Sequence, residues 1–406
     1  MNRNDVNWLT FSNKLSKLDI LEQNRLIHEL FYGKNSYLLN RSQASEGFIG
    51  DLNNFAENKK HRRFYKKIRS GFRNPEVYPD HKIVLVEGDS WFEFPIFLKD
   101  ITDHLKKDPD LAVFTVAQGS DWLSNMVVSM QYEYEYFKIK PDVLLISGGG
   151  NDLVSRQRLS NFIRLNPLPP DSSIMENYRD YVLLRLHGYD ASVCNTEACQ
   201  TKITQLLSSN DSLLTNTDTA LVNQIVTGKS YLNQNYYRML VTLKLEYKLL
   251  FESMRKLNPE RFSSLKIITQ GYDYPIPSFK RGFGIHLFIK NGVYLKDPLM
   301  LNGITSDYIR QSIMKTLIFE MNEMLIELGK EYNNVYHVDS RGITAFYEKY
   351  KGRKPGSFWY DELHPKSKIF GIIARVYSDI IHNKTQPDER VINVIDAFQK
   401  KINIEN

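Results

Sequence analysis

Two cysteines in 406 residues, Cys194 and Cys199, are too few for a disulfide framework, and no second pair completes a zinc site. Two reduced thiols are the default, and neither a metal nor an organic cofactor is expected. No run approaches the ~20 apolar residues that span a bilayer. The first residues, Met1-Asn2-Arg3-Asn4-Asp5-Val6-Asn7-Trp8, carry no apolar signal core, which sets the expectation of a cytoplasmic protein. Internal repeats and low-complexity tracts are missing as well. A phosphate-binding loop is suggested by Thr227-Gly228-Lys229-Ser230, but Asn223 stands where its first glycine must turn the backbone, and no strand precedes it. His187 near the two cysteines offers irregular ligand spacing, and the isolated His286 and His337 read as histidines satisfied by local hydrogen bonds rather than as ligands.

With 42% hydrophobic residues the chain can bury a large core, and its net charge of +6 is local. Lys59, Lys60, Arg62, Arg63, Lys66, Lys67, Arg69 and Arg73 crowd into one stretch without an acid, leaving the remainder close to neutral. Phe64, Tyr65, Ile68 and Phe72 interleave with them, as in a helix that packs an apolar stripe and keeps its cations in water. The rival reading of Lys59 to Arg73 is contact with an anionic membrane surface. Nucleic acid is not an expected partner.

Chemistry concentrates at three points. Gly88-Asp89-Ser90-Trp91 follows the apolar run Ile83 to Val86, Ser147-Gly148-Gly149-Gly150-Asn151-Asp152 follows Val143 to Ile146, and Asp361-Glu362-Leu363-His364-Pro365 lies far downstream. A serine hydroxyl is a poor nucleophile until an imidazole takes its proton, and a carboxylate fixes the imidazole's tautomer. Asp361 and His364 supply both groups, side by side if their segment forms a helical turn. Each motif alone is a common turn or helix start; their order along the chain is what raises them above that.

These blocks resemble the SGNH (GDSL-like) hydrolase superfamily: Gly88-Asp89-Ser90 the nucleophile block, Gly149-Gly150-Asn151-Asp152 the asparagine block, Asp361-x-x-His364 the last. The glycine block is matched by Gly119 in Ala117-Gln118-Gly119-Ser120-Asp121, without the upstream asparagine common in the family. Trp91 stands where the family motif has leucine. The resemblance implies a flavodoxin-like α/β/α core with a parallel sheet, a catalytic Ser90-His364-Asp361 triad, and an oxyanion hole from the Ser90 and Gly119 backbone N–H groups and the Asn151 side chain. It implies ester cleavage through an acyl-enzyme. Lipid-directed cleavage, acyl transfer and a catalytically idle binding protein stand as alternatives, since family members act on lipids, thioesters and acetylated sugars. Trp91, Trp359 and Tyr360 are candidate substrate contacts, though Phe358-Trp359-Tyr360 reads equally as packing that positions the catalytic turn.

Alternating patterns divide the chain into a helical extension (1–80), a core (81–154 and 261–382), a mostly helical insertion or cap (155–260) whose end, Tyr236 to Leu257, is a core crossover helix, and a C-terminal tail (383–406). Pro95 suits the first turn of a helix carrying Ile96, Phe97, Ile101 and Leu105. Strands are expected near 112–116, 265–269 and 335–339, with a long amphipathic helix from Ile309 to Leu328. Asn291-Gly292 marks a hairpin over Leu287 to Leu295.

Overall fold

The computed structural model describes residues 61–77, 79–94, 98–167, 172–208, 216–278, 294–386 and 389–405. Six strands form one parallel sheet: β1 (Lys82–Glu87), β2 (Leu111–Thr115), β3 (Val143–Ile146), β4 (Lys266–Gln270), β5 (Val335–Asp339) and β6 (Val391–Asn393), in the order β2-β1-β3-β4-β5-β6. β1, β2 and β3 are apolar runs buried nearly throughout, as parallel strands covered on both faces must be. Register is tight at the centre, where Val84 pairs with both Val113 and Val143.

The connections are helices α1 (Ile101–Leu105), α2 (Leu123–Ser129), α3 (Gln131–Ile139), α4 (Gly150–Val154), α5 (Ser172–Leu186), α6 (Glu197–Ser208), α7 (Asn216–Lys229), α8 (Gln234–Leu257), α9 (Pro259–Ser264), α10 (Lys296–Leu301), α11 (Asp307–Lys330), α12 (Ile343–Tyr350), α13 (Ser367–Ile381) and α14 (Val394–Glu405). α1 packs on α13, while α8 packs on α2 and α11, so the parallel sheet lies between two helical layers, the α/β/α arrangement expected from the sequence. Local chemistry places the ends. Asp100, Asn233, Asn258 and Ser306 each accept a backbone N–H from the first turn of the helix they precede, and Pro259 needs no donor at the start of α9. α11 carries the expected Ile309 to Leu328 stripe, and α8 begins two residues before the expected crossover.

Several expectations change. Residues 383–406 are more than a tail: Val391 to Asn393 pair with His337 to Asp339 as the sixth strand, and α14 follows. That strand, 3 residues long, is too short to read as one before its partner is in place. The helix expected from Pro95 begins at Ile101, where Asp100 supplies the cap, and Pro95 to Phe97 lie outside the described residues. The hairpin over Leu287 to Leu295 and residues 1–60 fall outside them too, apart from Tyr294 and Leu295. Cys194 and Cys199 are joined in a disulfide, because the turn entering α6 brings their Cα atoms to 5.8 Å, within bonding range. Among the described residues no helix is long and apolar enough to cross a membrane.

The insertion forms an extra helical layer outside α11. Its entry and exit are stitched together, Arg164 N–H to Tyr231 C=O and Asn233 N–H to Phe162 C=O. α7 lies against α11 at a distance only glycine allows: a Cβ on Gly228 would sit 2.2 Å from the Ser312 carbonyl oxygen. Thr227 to Ser230 therefore end a packed helix, and the phosphate-loop reading is excluded by its context. Of the basic segment, residues 61–73 are described. Phe64 and Phe72 are buried, Lys67 donates to the Pro109 and Leu111 carbonyls, and Arg73 donates to the Ile139 carbonyl, while Arg62, Arg63, Lys66 and Arg69 are exposed.

Candidate active site

Ser90 leaves the carboxyl end of β1, the end at which parallel sheets bind ligands. The turn before it needs glycine, since a Cβ on Gly88 would meet Ser147 Oγ at 2.3 Å. Asp89 points inward and braces the turn: it accepts from Trp91 N–H at 3.1 Å, from Ser147 Oγ–H at 3.0 Å and from the Tyr272 hydroxyl. Burial pushes the Asp89 carboxyl up from its ordinary range, against those donors and His364.

His364 meets Ser90 across 274 residues of chain, with Nε2 2.7 Å from Ser90 Oγ. Its Nδ1 lies 3.0 and 2.9 Å from the two oxygens of Asp361. A ring nitrogen facing a carboxylate carries the proton, so Nε2 is the one left to accept from serine. Asp361 is 1% exposed. Burial alone would raise its carboxyl; the charge and hydrogen bond of His364 and the N–H groups of Leu363 and His364 outweigh it, and the net shift is downward.

The helical turn expected to align this pair is not how they meet. Phe358 to Tyr360 run beside His364 to Lys366, through Tyr360 N–H to His364 C=O at 2.7 Å and Lys366 N–H to Phe358 C=O at 2.7 Å, leaving Asp361 to Leu363 as the tip. At the tip Asp361 Oδ1 accepts from both Leu363 and His364 N–H at 2.8 Å, an aspartate-made turn that outcompetes a helical one. Phe94 packs its ring against His364, centroids 4.7 Å apart. Glu362, fully buried, gathers the N–H groups of Ser278, Tyr294, Leu295 and Lys296, tying the loop to the segments beyond β4.

The pocket at Ser90 is lined by Trp91, Asn151 and His364 from the expected set, and by Tyr272, Asp273, Pro275, Met314 and Ile318, which sequence reasoning missed. Gln270-Gly271-Tyr272-Asp273-Tyr274-Pro275 continues β4 past its carboxyl end, so the position rule that pointed to the other loops points there as well. Asn151 Nδ2 donates to the Asp121 carbonyl at 3.0 Å, and Gln118 N–H donates to the Gly88 carbonyl at 2.9 Å. The loop bearing Gly119 is thus tied to both the Ser90 turn and Asn151, yet Gly119 itself, half-buried, does not line the pocket. Trp359 and Tyr360 do not line it either. Trp359 is 2% exposed and bridges to Pro365, and Tyr360 packs on Phe94, which favours the packing reading of that aromatic trio.

His337 is bonded on one side only, Nδ1 to Thr269 Oγ1 at 2.9 Å, and burial lowers it to about 4. No metal-ligating cluster occurs among the described residues.

No protein-family model and no curated protein matches the chain. Among solved structures it is similar to a lipase from the goat rumen metagenome (12% identity, 73% of this chain and 96% of that one, TM-score 0.37). It is also similar to a lipase/acylhydrolase from Enterococcus faecalis (12%, 76% and 99%, TM-score 0.32) and to a catalytic mutant of an acetylxylan esterase from Geobacillus stearothermophilus (13%, 74% and 94%, TM-score 0.33). These structural neighbours are named lipases and esterases. Likenesses this loose do not decide chemistry, and the weight falls on the side chains around Ser90.

Proposed function

We propose that the protein is a serine hydrolase that cleaves carboxylic esters through an acyl-enzyme, as the SGNH resemblance implies. The observation that carries this reading is the unbroken line from Ser90 Oγ to His364 Nε2 at 2.7 Å and from His364 Nδ1 to Asp361 at 2.9 Å. In the first step Ser90 Oγ bonds to the ester carbonyl carbon while its proton passes to His364 Nε2 and the carbonyl π electrons move onto oxygen. Collapse of that oxyanion breaks the bond to the alkoxy group, which leaves as alcohol with the proton from His364. Water then repeats the sequence on the acyl-enzyme and frees Ser90. Asn151 carries two amide hydrogens; one is used on Asp121 and the other is offered to the oxyanion, beside the Ser90 backbone N–H. Gly119 N–H is the third donor in this reading, brought in by a small rearrangement of its tethered loop.

The test is a pair of substitutions and their combination. Ser90→Ala and His364→Ala each abolish ester cleavage with the fold intact, and the double variant is no slower than the slower single, since residues acting as one unit lose most of their effect with the first removal. A double variant far slower than both singles contradicts the shared mechanism.

A second reading concerns the partner. Arg62, Arg63, Lys66 and Arg69 are exposed, as are Tyr134 and Phe137 of α3, and Lys138 of α3 lies over the rings of Tyr65 and Tyr134, linking the two segments. Cations beside exposed aromatics suit an anionic lipid surface. Reversing the four cations abolishes sedimentation with phosphatidylserine vesicles and spares turnover of a soluble ester; equal binding by both proteins removes this reading.

A further inference from the structure

The room in front of Ser90 is small, and one helix face walls a side of it. Met314 and Ile318 lie one turn apart on α11 and meet Leu153 and Val154 of α4, Pro275 beyond β4, and Leu363 from the catalytic loop. The half-open cavity these walls border with Ser90, Asn151 and His364 measures about 40 Å³. A single water needs about 10–15 Å³ of such space, and a cavity that accepts benzene has about 150 Å³. The room at Ser90 therefore suits about three non-hydrogen groups, which a carbonyl carbon, its oxygen and one methyl fill.

The walls have little freedom to retreat. Met314 is 1% exposed and Ile318 5%. Behind them α7 presses on α11, with Gly228 against Ser312 and Thr316 Oγ donating to the Ile225 carbonyl at 2.7 Å, so the helix cannot shift outward without displacing the insertion. Nor does the pocket offer charge to a polar acyl group. Both carboxylates on its floor are committed, Asp89 to Tyr272, Trp91 and Ser147, and Asp273 to the N–H groups of Tyr274, Gly342 and Thr344.

We infer that the site takes esters of acetyl-sized, uncharged acyl groups, and that Met314 and Ile318 set this limit; the inference rests on the hydrolase reading above. A longer acyl chain directed toward α11 must displace side chains that α7 holds from behind. The insertion, absent from the catalytic line, then acts on selectivity by fixing the position of α11.

The experiment compares para-nitrophenyl acetate, butyrate and octanoate by kcat/KM, with fluorophosphonate labelling of Ser90 measured on the same protein. Acetate exceeds butyrate by at least about tenfold, and octanoate is slower still. Met314→Ala raises the butyrate-to-acetate ratio by about tenfold or more, while Met314→Leu, close in volume, moves it by less than about threefold. Ile318→Ala tests the same wall should Met314→Ala not fold, and the wild-type series stands without either. Wild-type protein that labels at Ser90 and cleaves butyrate or octanoate as fast as acetate overturns the size limit and leaves the hydrolase reading standing. A folded protein that neither labels at Ser90 nor cleaves any of the three removes the hydrolase reading, and the size limit with it.

Discussion

Replacing Asp361 by Asn removes one negative charge and little else, which makes it the sharpest test of the proposed triad. When His364 takes the serine proton it becomes a cation whose Nδ1 lies 2.9 Å from Asp361 Oδ2, in a site where Asp361 is 1% exposed. Two unit charges 4 Å apart attract by about 4 kcal/mol at an effective dielectric constant near 20. About 1.4 kcal/mol is tenfold in rate, so loss of the charge slows acylation by roughly 10³-fold. An amide NH₂ turned toward Nδ1 adds to this, because it leaves the imidazole proton on Nε2, the tautomer unable to accept from serine. The fold should survive. Asn retains an oxygen for the Leu363 and His364 N–H groups, whereas Asp361→Ala leaves both without an acceptor, at about 1–3 kcal/mol for each buried group. Stopped-flow measurement of fluorophosphonate labelling, with a thermal melt beside it, separates the cases: Asn labels about 10³-fold more slowly at near-normal melting temperature, and Ala loses both rate and stability. A folded Asn variant that labels within about tenfold of wild type would refute the charge-pairing argument.

Other outcomes follow from the same contacts. Asn151→Ala lowers kcat by roughly 10²–10³ with little change in KM if its amide meets charge that appears only in the tetrahedral state; a lower melting temperature with near-normal turnover indicates a loop-forming role instead. Gly228→Ala forces a Cβ to within 2.2 Å of the Ser312 carbonyl, so the insertion must lift from α11; differential scanning calorimetry should read a loss of about 1–3 kcal/mol or a separate early transition. Burial raises Glu362 to about 7, against the pull of four backbone N–H groups, from about 4.3 in the unfolded chain. Because the folded value is the higher one, its contribution to stability is present below pH of about 4.3 and is lost as pH rises through about 7. Glu362→Gln flattens that slope in thermal melts, at an overall cost because its NH₂ faces N–H donors.

How far the amino-acid sequence leads depends on whether a feature is local. β1, β2 and β3 are legible because strands buried on both faces must be apolar throughout, and α11 because its stripe repeats every turn. β6 is not, since Val391 and Ile392 become a strand only when β5 offers them an edge. The meeting of Ser90 and His364 could be inferred from the chemistry of their motifs, but not the means: a turn wound around Asp361 Oδ1 replaces the expected helical one. Tyr272 and Met314 reach the pocket from segments with no motif, and only the fold makes them neighbours of Ser90. Trp359 shows the converse, a conspicuous aromatic two residues before Asp361 that packs the loop.

The central claim is that Ser90 is a nucleophile activated by His364, and intact-protein mass spectrometry after brief exposure to a fluorophosphonate tests it most directly. One adduct is expected, mapped by peptide sequencing to Ser90, absent from Ser90→Ala and formed far more slowly in His364→Ala. A folded protein that gains no adduct, or gains it at another residue with Ser90 untouched, contradicts the account.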